Sequence, residues 1–394
     1  MTRGNERDKS ADPILNLPVH SSIASLCFVS HGFSEKEDDE SDSSEESFEF
    51  RTSRLQKAQG ESYNSAGKNF NILANRLLTT CHHDGTVLLW DLSRREDIAK
   101  LSLDGPCLSL KRFDAPRKIM CQTRDLNGTV SILDINREFC VENQLETFSQ
   151  TFCQAAPCVG NRNLLALPSR QDNTVTVVDL RSKIPIDIMP IENNGMLTSL
   201  AMAVGDGGRP IVACGMESGS VIFHHLTDGH TRKRGVHSLS KDPVLSLDLF
   251  PSSNPLSVLA VAGMAGDAAE IGEIPKSEQG RIALLKATHT DDWNITMRAR
   301  LDTCRVDDTS YGKPGVGICK FRPVDGRLFA VGGWDHRIRI FERSQGKAMA
   351  ILRGHTDSVD CLDWATDAHQ TGLLASASSK ENRVYLWQCF AKNN

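Results

Sequence analysis

Asp84-Gly85-Thr86-Val87-Leu88-Leu89-Trp90-Asp91 is the stretch that decides the fold. Asp-Gly suits the left-handed backbone of a tight turn, and the run behind it alternates with period two, so the segment reads as a hairpin turn entering a strand. The same grammar returns at Asn127-Gly128-Thr129-Val130-Ser131-Ile132-Leu133-Asp134 and Asp172-Asn173-Thr174-Val175-Thr176-Val177-Val178-Asp179. It returns again at Ser218-Gly219-Ser220-Val221-Ile222-Phe223-His224, Gln279-Gly280-Arg281-Ile282-Ala283-Leu284-Leu285, Asp335-His336-Arg337-Ile338-Arg339-Ile340-Phe341 and Glu381-Asn382-Arg383-Val384-Tyr385-Leu386-Trp387. Aligned on Trp90, the copies lie 43, 45, 46, 61, 56 and 46 residues apart. Since a four-stranded propeller blade takes about 40 to 45 residues, the chain reads as an all-β, seven-bladed β-propeller with insertions in the two long intervals.

The ends of these units resemble the WD-repeat family, whose blades set Gly-His ahead of the first strand and close the third with Trp-Asp. Gly354-His355 and Trp90-Asp91 carry the resemblance. It implies a buried hydrogen-bond network of histidine, serine or threonine, turn aspartate and tryptophan. In the first blade that network falls on His20, Thr80, Asp84 and Trp90, and its members elsewhere include His355, Trp387 and the turn residue Asp335. These are structural positions, because losing one member leaves a buried partner unpaired at a cost of about 1 to 3 kcal/mol. Leu133, Val178, His224 and Leu285 replace the tryptophan elsewhere, so those blades depend on packing, and only the first keeps a near-complete set.

Seven residues follow Trp387, too few for an outer strand, whereas Ile14 to Leu17 precedes the first blade without a blade of its own. The N-terminal strand is therefore expected to close the ring of this WD40 β-propeller and remove its open edge. On this reading residues 1–11 are a flexible N-terminus and residues 12–394 a single domain. Apolar residues at 39% and charged residues at 24% suit a soluble globular chain. The longest apolar run, about Leu256 to Ala265, is far short of the ~20 residues of a membrane span, and the polar Met1 to Ala11 lacks the core of a secretory signal. The expected location is nucleus and cytoplasm. Twelve cysteines are scattered from Cys27 to Cys389 without C-x-x-C spacing, several inside apolar runs, and read as small reduced hydrophobes.

Two insertions interrupt the repeat. The first, about residues 32–75 in the first blade, carries an acidic, serine-rich tract from Ser34 to Phe50 that is expected to be disordered. Residues 35–49 sum to −8 of the chain's −5, so the remainder is near +3, too little to argue for direct nucleic-acid binding. Ser41, Ser43 and Ser44 lie among these acids as candidate phospho-acceptors, although a solvated loop that adds only solubility is the plainer reading. The second, about residues 264–278, lengthens a hairpin of the fifth blade, and Asp302 to Gly315 lengthens the link into the sixth.

Chemistry is sparse. No G-x-x-x-x-G-K-[ST] loop is present, and Gly312-Lys313-Pro314-Gly315-Val316-Gly317 lacks its spacing. His82-His83 and His224-His225 are strand neighbours whose side chains point to opposite faces, poorly placed to share a metal, and His83 and His224 read as repeat positions. The residues supply no catalytic site, cofactor site or metal site. The most distinctive patch is in the sixth blade, where Trp334, His336 and Arg337 surround the turn residue Asp335. An exposed tryptophan on a propeller rim is a binding hot spot, and packing on a neighbouring blade is the competing reading.

Gly333-Trp334-Asp335-His336-Arg337-Ile338-Arg339-Ile340-Phe341, with Asn163-Leu164-Leu165-Ala166-Leu167-Pro168 and Glu217-Ser218-Gly219-Ser220-Val221, resembles one subgroup of that family, the beta-subunit-like and ASTRA-associated proteins. That resemblance implies a non-enzymatic scaffold, a monomeric propeller within a larger assembly. Its implied partners are the TTT co-chaperone complex and phosphatidylinositol-3-kinase-related kinases, whose maturation and stability it supports, with links to chromatin and the DNA-damage response. Two alternatives stand beside it. A G-protein beta-like signalling scaffold would want a long N-terminal helix where about a dozen residues precede the first strand. A substrate receptor of a cullin-type ubiquitin ligase would want Trp-Asp-x-Arg closing a strand; Val178-Asp179-Leu180-Arg181 has the place without the tryptophan, and Trp334-Asp335-His336-Arg337 the spelling in a turn.

Overall fold

The computed structural model describes residues 10–29, 76–113, 117–135, 139–169, 174–182, 184–190, 195–204, 208–226, 234–254, 256–265, 281–290, 292–301, 315–366 and 372–389. The chain enters through β1 (Ser10–Ala11) and β2 (Leu15–Pro18), then runs in groups of four. β3 (Ile23–Phe28), β4 (Leu77–His82), β5 (Thr86–Asp91) and β6 (Glu96–Ser102) form the first group, and β7 (Cys107–Arg112), β8 (Lys118–Thr123), β9 (Thr129–Asp134) and β10 (Cys140–Glu146) the second. There follow β11 (Ala156–Val159), β12 (Leu164–Pro168), β13 (Thr174–Asp179) and β14 (Ile184–Pro190), then β15 (Leu197–Val204), β16 (Pro210–Met216), β17 (Ser220–His225) and β18 (Arg234–Ser238). The fifth and sixth groups are β19 (Val244–Pro251), β20 (Ser257–Met264), β21 (Ile282–His289) and β22 (Trp293–Leu301), and β23 (Val316–Phe321), β24 (Leu328–Gly333), β25 (Arg337–Glu342) and β26 (Lys347–Arg353). Three strands end the chain: β27 (Cys361–Trp364), β28 (Leu373–Ala377) and β29 (Arg383–Gln388).

Within each group consecutive strands pair antiparallel, giving the meanders of an all-β propeller. The first strands of successive meanders lie side by side, β3 against β7, β7 against β11, β11 against β15, β15 against β19, β19 against β23, β23 against β27, and β27 against β3. The sequence leads one to expect seven separate sheets; the described strands form six, because β11 and β15 also pair in parallel at Cys158↔Met202 and Val159↔Ala203 and fuse two meanders into one eight-stranded sheet. The middle strands are covered on both faces by their neighbours, so they read as unbroken apolar runs: every residue of Leu164–Pro168, Leu328–Gly333 and Leu373–Ala377 is buried. Outer strands such as β10 face solvent and alternate instead.

A β-bulge recurs near the start of the first strand of several meanders, between Ile23 and Ser25, Cys107 and Ser109, Leu197 and Ser199, Val244 and Ser246, and Val316 and Ile318. The extra residue re-aims a side chain, and three of the serines use this to reach the next meander. Ser25 Oγ donates to Leu110 O at 3.3 Å, Ser199 Oγ to Val244 O at 2.7 Å, and Ser246 Oγ accepts from Cys319 N at 3.0 Å. Each serine thus staples one inner strand to the next and satisfies a buried backbone group.

The two ends of the chain share one sheet. β2 pairs antiparallel with β29, placing Leu15 opposite Leu386 and Leu17 opposite Val384, and Leu15 and Leu17 are buried beside Leu26, Trp90 and Leu386. The expected flexible N-terminus needs correction at its end, since Ser10 and Ala11 form β1, parallel to β26 at Ile351 and Leu352. The acidic insertion from residue 32 to 75, with Ser41, Ser43 and Ser44, lies outside the described residues. So does the second insertion beyond Met264, which ends β20, and Ala265, which bridges Gly315.

Candidate functional site

Two polar networks anchor the meanders on either side of the junction of the chain ends. In the first, Trp90 Nε1 donates to Thr80 Oγ1 at 3.0 Å, and the same oxygen meets His82 Nε2 at 3.0 Å. His82 Nδ1 reaches Ser21 Oγ at 3.0 Å. The histidine of this network is therefore His82 and not His20, which is exposed, as is His83. Thr80 and His82 lie two apart on one strand, so their side chains share a face. Burial lowers the pKa of His82, against hydrogen bonds from its neighbours. Asp84 is exposed and caps its own turn by accepting from Thr86 N at 2.9 Å.

The last meander holds the fuller version, contrary to the expectation that only the first would. Trp387 Nε1 donates to Ser376 Oγ at 2.8 Å, Ser376 meets His355 Nε2 at 2.8 Å, and His355 Nδ1 meets Glu381 Oε2 at 2.6 Å. Glu381 takes the place of the turn aspartate; its extra methylene lets it also accept from Thr356 Oγ1 at 2.6 Å. Burial alone would raise the Glu381 pKa, yet hydrogen bonds from His355 and Thr356 together bring it to about 2.

The sixth turn is built differently. Asp335 is buried and grips Arg339 with two bonds, 3.0 Å and 2.6 Å, so it belongs to a bidentate ion pair and, among the described residues, to no histidine–tryptophan network. Trp334 is half-buried, its indole laid against Gly315, where a side chain would collide with the ring, and the backbone N–H of Trp334 donates to Gly315 O at 3.1 Å. Of the two readings of Trp334, an exposed rim side chain and a packed one, the half-buried ring is nearer the second. His336 sits where the turns of the first, second and fourth meanders carry Gly85, Gly128 and Gly219, at φ 66°, a conformation that costs a non-glycine residue about 1 kcal/mol or more. Arg337 is half-buried at the head of β25.

A more exposed patch lies on the second meander, in two loops that sequence reading passed over. Leu126 is 91% exposed, Phe152 70% and Phe148 43%, and the Arg124 guanidinium stacks 4.1 Å above the Phe152 ring. Leu126 is in the turn between β8 and β9, the counterpart of the turn that holds Trp334; the two phenylalanines are in the link from β10 to β11. The loops are tied together: Phe148 N donates to Asn127 O at 2.6 Å, Gln150 Nε2 to Leu126 O at 3.2 Å and Thr147 Oγ1 to Gly128 O at 2.8 Å. Phe148 is held at φ 53°, a strained conformation for an aromatic residue. Arginine and aromatic side chains on a pre-ordered frame are what interface hot spots are made of.

Charges on the inner strands pair off between meanders. Lys320 on β23 meets Asp248 on β19 at 3.2 Å, and Arg112 on β7 meets Asp363 on β27 at 3.3 Å and Trp364 O at 2.7 Å. Lys111 donates to Ala155 O at 2.9 Å; burial, with Lys320 nearby, lowers its pKa to about 7. Among the described residues one group has the makings of a metal site, the sulfurs of Cys81, Cys107 and Cys121. Hydrogen bonds from Cys121 and Cys81 outweigh burial and bring the Cys107 thiol down to about 4.

Comparison with known proteins agrees with the propeller fold. Residues 346–388, which contain the His355–Ser376–Trp387 network, match the family model described as WD domain, G-beta repeat. Over 324 residues the chain is 25% identical to guanine nucleotide-binding protein subunit beta-like protein 1 of Mus musculus, covering 80% of this chain and 88% of that one. It is 24% identical over 243 residues to ASTRA-associated protein 1 of Penicillium rubens, with 55% and 50% covered. Among solved structures, the beta-propeller domain of Cps50 (Swd1) from Myceliophteria thermophila superposes with a TM-score of 0.58 at 15% identity, covering 80% of this chain and 94% of that one, a likeness of fold.

Proposed function

We propose that the chain is a seven-bladed WD-repeat propeller, closed by β2, that acts as a non-enzymatic protein-interaction scaffold. The neighbour-to-neighbour succession of first strands and the β2–β29 pairing support the closed ring. The observation that carries the scaffold reading is the patch of Arg124, Leu126, Phe148 and Phe152, apolar surface held open on hydrogen-bonded loops. Because an arginine overlies the aromatic ring there, the fitting partner is a protein segment that presents a carboxylate beside an apolar side chain. The likeness to ASTRA-associated proteins supports membership of an ASTRA-type assembly. The resemblance in the sixth turn adds the TTT co-chaperone complex and phosphatidylinositol-3-kinase-related kinases as partners, in nucleus and cytoplasm. Trp334, His336 and Arg337 form a secondary contact.

The test is affinity purification of the full chain beside a Leu126→Ala/Phe152→Ala variant. Recovery of TTT components and the kinases with the wild type, and their loss with the variant at an unchanged melting temperature, is expected. Equal recovery by the variant removes the patch, and recovery of a cullin adaptor in place of the co-chaperones removes the assignment.

A further inference from the structure

Three sulfurs converge where the first and second meanders pack. Cys81 comes from β4, Cys107 from the bulged start of β7 and Cys121 from β8; all three Sγ atoms lie within 4.8 Å of one another, and those of Cys121 and Cys107 are 3.7 Å apart. The trio is fully buried in an apolar cluster with Val87, Leu89, Leu110 and Ile119. A single cysteine in such a place is a small hydrophobe. Three that turn their sulfurs to one point, from two meanders, leave polarisable donors facing one another.

The triangle has the size of a coordination site. Metal–sulfur bonds of about 2.3 Å in a trigonal plane put the sulfurs about 4 Å apart, which these positions meet with small side-chain shifts. Thiolate donors select soft cations, copper(I) and zinc foremost. Structural zinc takes four ligands, and the imidazole of His82, next to Cys81 on β4, already has its two ring nitrogens on Thr80 and Ser21. A three-coordinate, all-sulfur pocket suits copper(I). We propose that Cys81, Cys107 and Cys121 form a trigonal site for copper(I) that pins the first meander to the second. Binding forms three copper–sulfur bonds and breaks the S–H bonds still present, whose protons go to solvent; copper stays in its +1 state and no electron is transferred.

The experiment uses the full chain with Cys140→Ser and Cys304→Ser, because Cys140 is exposed and Cys304 lies outside the described residues. Under anaerobic conditions the chain is titrated with copper(I) against bicinchoninate, natively and during refolding from urea, since metal uptake at buried sites is coupled to folding. One copper per chain with sulfur-only coordination by X-ray absorption is expected, with affinity reduced at least tenfold by Cys107→Ser or by the volume-conserving Cys81→Val. Cys214→Ser, buried elsewhere, should leave it unchanged. The proposal is overturned by failure to retain copper in both formats or by equal retention in a folded Cys107→Ser variant. A Cys107–Cys121 disulfide in the chain isolated with thiols blocked, or zinc held with copper(I) excluded, overturns it as well.

Discussion

Two adjacent threonines on β4 should respond to the same substitution with opposite signs. Thr79 and Thr80 are both fully buried, and valine copies the shape of threonine, so Thr→Val at either site removes a hydroxyl without opening a cavity. At Thr80 the hydroxyl serves Trp90 Nε1 and His82 Nε2, each at 3.0 Å. Its removal orphans both, at about 1 to 3 kcal/mol apiece. Because His82 keeps Ser21 on its other nitrogen, the expected loss is in the lower half of that sum, about 2 to 4 kcal/mol. Thr79 points to the opposite face, where its Oγ1 finds no hydrogen-bond partner among the described residues. Valine there relieves a desolvated hydroxyl and should stabilise by about 1 kcal/mol. Equilibrium urea denaturation followed by tryptophan fluorescence gives both values, with the slope as a check that the denatured state is unchanged. If Thr79→Val costs as much as Thr80→Val, strand packing and not the tryptophan network holds this meander, and the reasoning fails.

Other outcomes follow from the same contacts. Glu381, held at about 2, stabilises the fold above its ordinary pKa near 4.5 and loses that contribution as the pH falls from about 4.5 toward 2; Glu381→Gln should flatten the stability profile within that window, and an unaltered profile by urea titration across it would count against the His355–Glu381 contact. Leu17→Ala should cost about 2 to 5 kcal/mol, as for other buried leucines, whereas exposed Asn16→Ala should cost under about 0.5; equal midpoints would show that β2 does not close the sheet. His336→Gly should raise stability by about 0.5 to 1 kcal/mol by relieving φ 66°, and a fall in the melting temperature would instead make the imidazole structural. Trp334→Ala with Arg337→Ala should lower the melting temperature through the lost indole contact with Gly315, and loss of partner capture without loss of stability would return the sixth turn to the role of principal hot spot.

The repeat was legible because turn chemistry and strand periodicity are local. Asp84-Gly85 and Asn127-Gly128 announce turns whose glycines have φ of 83° and 58°, and the runs behind them are strands in the structure. The pairing of the Ile14 to Leu17 segment with the last meander was legible for a related reason, that a meander short of one strand has an open edge to fill. The networks were only half legible. Thr80, Trp90, His355 and Trp387 are where the family pattern puts them, but His82 displaces His20, because a strand histidine two residues from Thr80 reaches its oxygen from the same face. Glu381 went unread because a glutamate one methylene longer still closes onto His355 and Thr356.

What sequence reading missed was written in a second, fainter repeat. Ser25-Leu26, Ser109-Leu110, Ser199-Leu200 and Ser246-Leu247 all follow a first-strand bulge, and that Ser-Leu pair, found at one place in four meanders, would have located the inner staples. The exposed patch had no such signal. Leu126, Phe148 and Phe152 are scattered over 27 residues, and the hydrogen bonds from Thr147, Phe148 and Gln150 back to the Leu126–Gly128 turn bring them to one surface. That difference separates stability from recognition in this molecule. Polar side chains that hold strands together recur with the blade and can be found by period, whereas apolar side chains offered to a partner depart from it. Substitutions at the serine staples should therefore act on melting, and those at Phe152 on binding, with little crossover between the two.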